Sequence, residues 1–427
     1  MLTDWAQKVR SKGHSLLLFE SKAPQKINQS FSSVRGSLSL ESLGGEMDKE
    51  RSHSDSNSRE TKKSRLDVSS FGKDIKQKAN ESLANLVSLL VRHIDEKELF
   101  DLSNTSLAIH RLGKLKGARR PTDEEIDIGK KLARIALNFD EYRYQAIQVS
   151  MTCYGIANGQ LQELTPNFLE LFDRLLRSVD NFQAWDPQAI SNLLWSCTKL
   201  PWNSLYKTIF DKATREILYR RFHDFQMPII LWSYAKAQIK DDHLFEVFAG
   251  DVDERQFEKY NPQNISNVLW SFAKLDIKKQ RIFDFGSKEI CKRQFTSFNS
   301  QEISNILHSF AKLEIYHQQV FDLAVQEIVR RKLQNFDLQS IAHILWSFAK
   351  VDLRNDYIFE LASSEIYDRN LRRLGENEIS MILWSFGTLR IKNVKVINAI
   401  SDELCSRKFR SFDDHSIGNI LLSYAWW

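Results

Sequence analysis

The chain has 427 residues, a hydrophobic fraction of 42% and a formal charge of +5 at pH 7. That charge is compatible with nucleic acid but too weak to indicate it alone, and no apolar run is long enough to span a membrane, so no membrane insertion is expected. Only 15 Gly and 7 Pro are present, too few turn residues for an all-β architecture, which leaves long helices and short connections.

Residues 1–72 open the chain. The stretch "INQSFSSVRGSLSLESLGGEMDKERSHSDSNSRETKKSRLD" is rich in Ser and charge. It cannot bury enough apolar surface to offset the entropy of ordering, so disorder is expected. Ahead of it, "WAQKVRSKGHSLLLF" is basic, and residues 1–40 hold only Asp4 and Glu20 as acids. That is the composition of an organellar transit peptide, and equally of an unstructured tail.

Residues 73–182 carry two degenerate copies of a repeat, "FDLSNTSLAIHRLGKL" and "YRYQAIQVSMTCYGIA". Residues 183–427 carry the regular copies. "ISNVLWSFAKL" at 265 returns as "ISNILHSFAKL" at 303. With the Trp of "LWS" as anchor, the series is Trp195, Trp232, Trp270, His308, Trp346, Trp384 and Leu422, preceded by His110 and Thr152. An aromatic stands ten residues before most anchors, among them Phe100, Tyr142, Trp185 and Tyr260. A fixed period of about 38 residues is the signature of a helical solenoid. The expected fold is therefore all-α, a right-handed α-solenoid of helix-turn-helix repeats behind a disordered N-terminal segment.

Each repeat divides into a first helix, such as Gln263 to Leu275, and a second, "RIFDFGSKEICKRQF". The second helices carry Glu289 and Arg293, Glu327 and Arg331, Glu365 and Arg369, and Glu403 and Arg407. Acid before base at i,i+4 is the favourable order on a helix surface, so these pairs read as structural. In "FHDFQMPIILWSYAKAQI", Pro228 falls in the first turn, so that helix is expected to begin late.

On a helical wheel, Ile265, Val268, Leu269, Phe272, Ala273 and Leu275 share one side. Gln263, Asn267, Ser271 and Lys274 share the other. The stripe returns as Gln188, Asn192, Ser196 and Lys199, and as Gln301, Asn305, Ser309 and Lys312, with Lys236, Gln339, His343 and Lys350 in corresponding places. Amides can pair with base edges and Lys can neutralise phosphate. One repeat per base is how helical-repeat RNA binders read single strands, so about eight units would contact about eight nucleotides. The positions three and six before the anchor vary between copies, as readout positions would. Solvation and the helix dipole account for the same stripe without any ligand, and the two readings stay open. The Trp anchor is expected to wedge between adjacent first helices rather than stack on bases.

The motifs of nucleotide, zinc and hydrolase chemistry are absent. The ten His are scattered, His110 and His308 at anchor positions where packing is expected. Cys153, Cys197, Cys291 and Cys405 form no CxxC and read as reduced core residues. No catalytic activity, cofactor or metal is expected.

"ISNLLWSCTKL", "ISNVLWSFAKL", "IAHILWSFAK" and "ISMILWSFGTL" resemble the LANxLWALAxLG core of octotricopeptide repeat proteins. The heptatricopeptide repeats and the helical region of FAST-kinase-like proteins are similar too. The likeness covers 183–427 well and 95–182 weakly. It implies an α-solenoid of the mitochondrion or chloroplast that binds organellar mRNA or rRNA in processing, stability, translation or ribosome assembly, alongside other proteins of a ribonucleoprotein assembly. The RNA-facing positions it implies are those of the polar stripe. The PPPEW-like segment and the closing RAP domain of that family are missing, and the chain stops inside the first helix of a ninth unit, so it reads as a fragment. The competing class is a protein scaffold or structural subunit of a large organellar assembly, such as a ribosome or respiratory complex.

Overall fold

The computed structural model describes residues 59–426 apart from 118, 221, 223, 224, 253, 370 and 410. The transit-peptide reading and most of the Ser-rich segment lie outside the described residues. Within them, every regular element is helical: twenty α-helices and four short 3-10 turns. They form two compact units, one ending at Phe222 and one beginning at His223. The sequence-based boundary at 182/183 therefore falls inside the first unit.

The first unit contains α1 (Arg59–Glu81), α2 (Leu83–His93), α3 (Leu102–Lys116), α4 (Asp123–Leu137), α5 (Ala146–Gly159), α6 (Asn167–Arg177), α7 (Pro187–Cys197) and α8 (Ser204–Ile217). Odd-numbered helices pack on odd, and even on even, the pattern of stacked helix pairs. Helix α1 begins at Arg59, ahead of the boundary drawn at residue 72. With α2 it makes a further helix pair. A Cβ on Gly72 of α1 would come 2.6 Å from Asn104 Oδ1 of α3.

The second unit contains α9 (Gln226–Lys236), α10 (Asp242–Asp251), α11 (Glu254–Lys259), α12 (Pro262–Lys274), α13 (Gln280–Arg293), α14 (Ser300–Lys312), α15 (Gln318–Arg331), α16 (Leu338–Lys350), α17 (Asp356–Asp368), α18 (Glu376–Thr388), α19 (Val394–Arg407) and α20 (Asp414–Trp426). First helices (A) are α9, α12, α14, α16, α18 and α20. The others are second helices (B), the B helix after α9 being split into α10 and α11. The A helices pack on one another more closely than the B helices do, so within this unit the A row lies on the inner side of any curvature.

The repeat is written in caps. Asp186, Asn261, Asn299 and Asp337 accept from backbone N–H groups in the first turn of their A helices, supplying partners that the helix cannot. Helix α9 lacks such a cap and begins at Gln226, six residues before its anchor instead of eight, as Pro228 foretells. At the other end, Gln238, Asp276, Glu314, Asp352 and Arg390 take left-handed φ of 53–56°. The next N–H then turns back, as Ile277 N donates to Phe272 O at 2.9 Å and Ile315 N to Phe310 O at 2.9 Å. Ile277 and Ile315 are buried by that turn, the hydrophobic partner of a left-handed helix stop.

The B helices back the A row and link successive repeats. Phe283 of α13 meets Phe310 of α14 edge-on at 5.0 Å, and Phe359 of α17 meets Phe386 of α18 the same way. Each B helix thus packs against the following repeat as well as its own. The Glu–Arg pairs complete that junction. Arg331 Nε donates to Glu327 at 2.6 Å, while its Nη2 donates to Phe298 O at 2.7 Å, in the loop one repeat back. Arg293 reaches Tyr260 O at 2.8 Å and Arg407 reaches Leu374 O at 2.8 Å in the same manner. Because Glu327 is only 4% exposed, the pair is a desolvated clamp rather than a solvated surface pair.

One aromatic departs from its series, and one expectation needs correcting. Tyr142 is 76% exposed, unlike Phe100 at 2%. It lies in a short 3-10 turn, so its side chain never reaches the core, and Tyr144 instead donates to Ala136 O at 3.0 Å. Of the cysteines, Cys153 and Cys197 are buried, but Cys291 is half-buried and Cys405 exposed. The last two lie on outer B helices whose far side meets solvent.

Candidate nucleic-acid interface

In the second unit, the positions seven and three before each anchor from Trp270 onward come out one helical turn apart on the same face of the A helices, whereas before Trp232 they are Phe225, ahead of α9, and the buried Ile229. Gln263 and Asn267, Gln301 and Asn305, and Gln339 and His343 are all partly exposed there. The same register adds Asn377 and Met381, then His415 and Asn419, which the sequence reading left out of the site. Within a helix these pairs touch: Asn419 Nδ2 lies 3.3 Å from His415 Nδ1. In the first unit, Gln188 Nε2 donates to Asn192 Oδ1 at 2.9 Å, and Asn192 is 5% exposed. That amide pair is more spent on itself than its counterparts.

Other members of the expected stripe are not on the surface. Ser196, Ser271 and Ser309 are fully buried. Each hydroxyl donates to the carbonyl four residues back, Ser309 Oγ to Asn305 O at 2.6 Å. A small residue is needed where A helices press together, and the back-bond satisfies its hydroxyl. The variable position six before the anchor is also mostly interior, with Ala189, Gln226, Asn264, Ser340 and Ser416 buried. It is the third residue of most A helices, where Glu302 closes a capping box with Asn299. Its variation therefore follows capping and packing rather than readout.

The anchors form a ladder. Trp232 and Trp270 have centroids 6.2 Å apart, His308 and Trp346 4.9 Å, and Trp346 and Trp384 6.2 Å, all tilted by 31–35°. In the first unit, Tyr154 stacks on Trp195 at 5.2 Å. The rings bridge neighbouring A helices, as a wedge should, and Trp270, His308, Trp346 and Trp384 stay partly exposed. His110, at 3% exposure, packs against Tyr154. His308 lies 4.7 Å from His343. Desolvation, followed by smaller charge effects, brings the His343 ring down to about 4, so it faces any ligand as a neutral imidazole near pH 7.

The lysines differ from one another. Lys312 Nζ pairs with Asp276 Oδ1 at 3.0 Å and donates to Lys274 O at 3.3 Å. Lys350 Nζ pairs with Glu314 Oε1 at 2.8 Å. Both acids occupy the left-handed turn of the preceding repeat. Lys274 is exposed, and Lys312 Nζ reaches its main-chain carbonyl. Desolvation first, then the charges of Lys312 and Lys236, pulls its ammonium below the ordinary lysine value. Lys236 is lowered by desolvation, and Lys199 lies over the Trp195 ring at 4.9 Å.

This face can offer amide donors and acceptors, neutral imidazole and a few cations, spaced one set per repeat. Among the described residues, no group of three or more His, Cys, Asp or Glu gathers as a metal site would, and no helix is long and apolar enough to cross a membrane. No curated protein matches the chain. Residues 292–425, from the end of α13 into α20, match the family model described as RESC6, RNA-editing substrate-binding complex 6 protein. The chain is thus similar over that stretch to an RNA-editing complex protein, and the octotricopeptide resemblance is carried no further than the helical repeat.

Proposed function

We propose that this protein is a non-catalytic RNA-binding subunit of an RNA-processing assembly, and that it holds single-stranded RNA along the amide face of its A helices. The carrying observation is the pair of partly exposed side chains per repeat, Gln263 with Asn267, Gln301 with Asn305 and Gln339 with His343. They recur at the spacing that lets one helical repeat meet one base. The RNA-editing description of the matching family supports the same reading. Acid-poor residues 1–40 support an organellar address, and we propose the mitochondrion.

The test is ultraviolet crosslinking of the native protein followed by sequencing of the attached RNA. Enrichment of one short sequence supports readout, and recovery of protein partners alone sinks it. On the purified protein, Asn267→Asp exchanges an amide donor for an acceptor and should alter base preference at one position. A loss spread evenly over all sequences would point to damaged packing instead.

A second reading has its own observation. Asp276 and Glu314 lie against Lys312 and Lys350 on this side of the repeats, so the surface there is mixed in charge. A mixed surface suits a protein partner within the assembly, and the crosslinking experiment separates the two.

A further inference from the structure

Recurring lysines at the ends of A helices look equivalent in sequence, yet they meet different turns. Lys312 and Lys350 each lie beside the left-handed turn residue of the repeat before. For Lys312 that residue is Asp276, 3.0 Å away, and for Lys350 it is Glu314, 2.8 Å away. For Lys274 the corresponding residue is Gln238, also left-handed at φ 56°, which brings no charge. Lys274 instead feels two cations, Lys236 upstream and Lys312 downstream, and the one acid that acts on it, Asp276, is paired with Lys312.

Resting on the RNA reading above, we propose that the lysines divide their work: Lys274 is the phosphate contact of the A-helix face, whereas Lys312 and Lys350 are staples between repeats that the turn acids withhold from RNA. Gathering like charges around a partly desolvated ammonium is unfavourable in the empty protein. A phosphodiester oxygen seated there relieves it, and the mutual repulsion that now opposes folding becomes attraction for the ligand. At the two stapled positions, an incoming phosphate would have to displace a carboxylate at contact distance, so little net charge is gained. The turn residue after the A helix thus decides whether its neighbour's lysine serves RNA or the solenoid.

The experiment titrates fluorescein-labelled U16 RNA into the full chain over a range of salt concentrations. One phosphate contact on a single strand contributes about 0.7 to the slope of log K against log salt. Lys274→Ala should lower the slope by about 0.7 and weaken binding about fivefold at 0.1 M salt. Lys350→Ala should leave slope and affinity unchanged. Glu314→Gln, nearly isosteric, releases Lys350 and should raise the slope by up to about 0.7, a gain that misfolding cannot mimic. Equal losses in Lys274→Ala and Lys350→Ala, or an unchanged slope in Glu314→Gln, would overturn the division while leaving RNA binding intact. If the unaltered protein fails to bind U16 even at low salt, the RNA reading falls and the division with it.

Discussion

At the scale of single residues, the Arg clamps and the neutral histidines govern behaviour. Arg331→Met would leave the Glu327 carboxylate to Arg330 alone and strip the Phe298 carbonyl of a donor. A loss of about 1–2 kcal/mol is expected, read by denaturant melts. The Arg330 hydrogen bond, then Arg331, hold the Glu327 carboxyl below its ordinary value. Its contribution is therefore complete above the unfolded value of about 4.3 and fades as pH falls through the lower folded one. His343 acts in the same direction over a higher window. Its folded value of about 4 lies below the unfolded value of about 6.5, so the unfolded chain takes up that proton first. Stability should decline as pH drops from about 6.5 towards 4, and His343→Gln should flatten that slope in melts run across the range. The acid-base spacing of the clamp was legible in the sequence. Its second partner was not, because a backbone carbonyl 33 residues back has no letter of its own.

At the scale of elements, packing distance separates what was legible from what was not. Hydrophobic periodicity places the A helices, and Pro228 marks the late start of α9, since both depend on local chemistry. The wheel could not tell a solvent-facing position from one pressed against the next repeat. That is why Ser271 and Ser309 read as part of a polar stripe although the neighbouring A helix covers them. The amides at Gln263, Asn267, Gln301 and Asn305 were legible as a face, because among the described residues each keeps part of its surface exposed. Among the described glycines, the tightest approach is between α3 and α5, where a Cβ on Gly113 would fall 1.9 Å from Gly155 O. Gly113→Ala must push two backbones apart, and a loss of about 3 kcal/mol is expected. A thermal shift near that of a surface Ala substitution would show that the helices give way cheaply.

At the scale of the whole molecule, the period alone announces a helical array, whereas the division after residue 222 has no sequence signal that we can identify. Each compact unit closes its own core through A-on-A and B-on-B contacts. A polypeptide of residues 223–427 made alone should keep a helical far-ultraviolet spectrum and melt cooperatively. A broad, featureless melt would mean that its core depends on what precedes it. The Arg clamp carries a consequence for how such an array can change over time. Arg293, Arg331 and Arg407 all grip main-chain oxygens, and every residue type supplies one of those. A duplicated or transplanted repeat therefore meets a socket that fits whatever side chains its new neighbour bears. The joint is indifferent to content, which leaves the exposed amide positions free to be rewritten one repeat at a time.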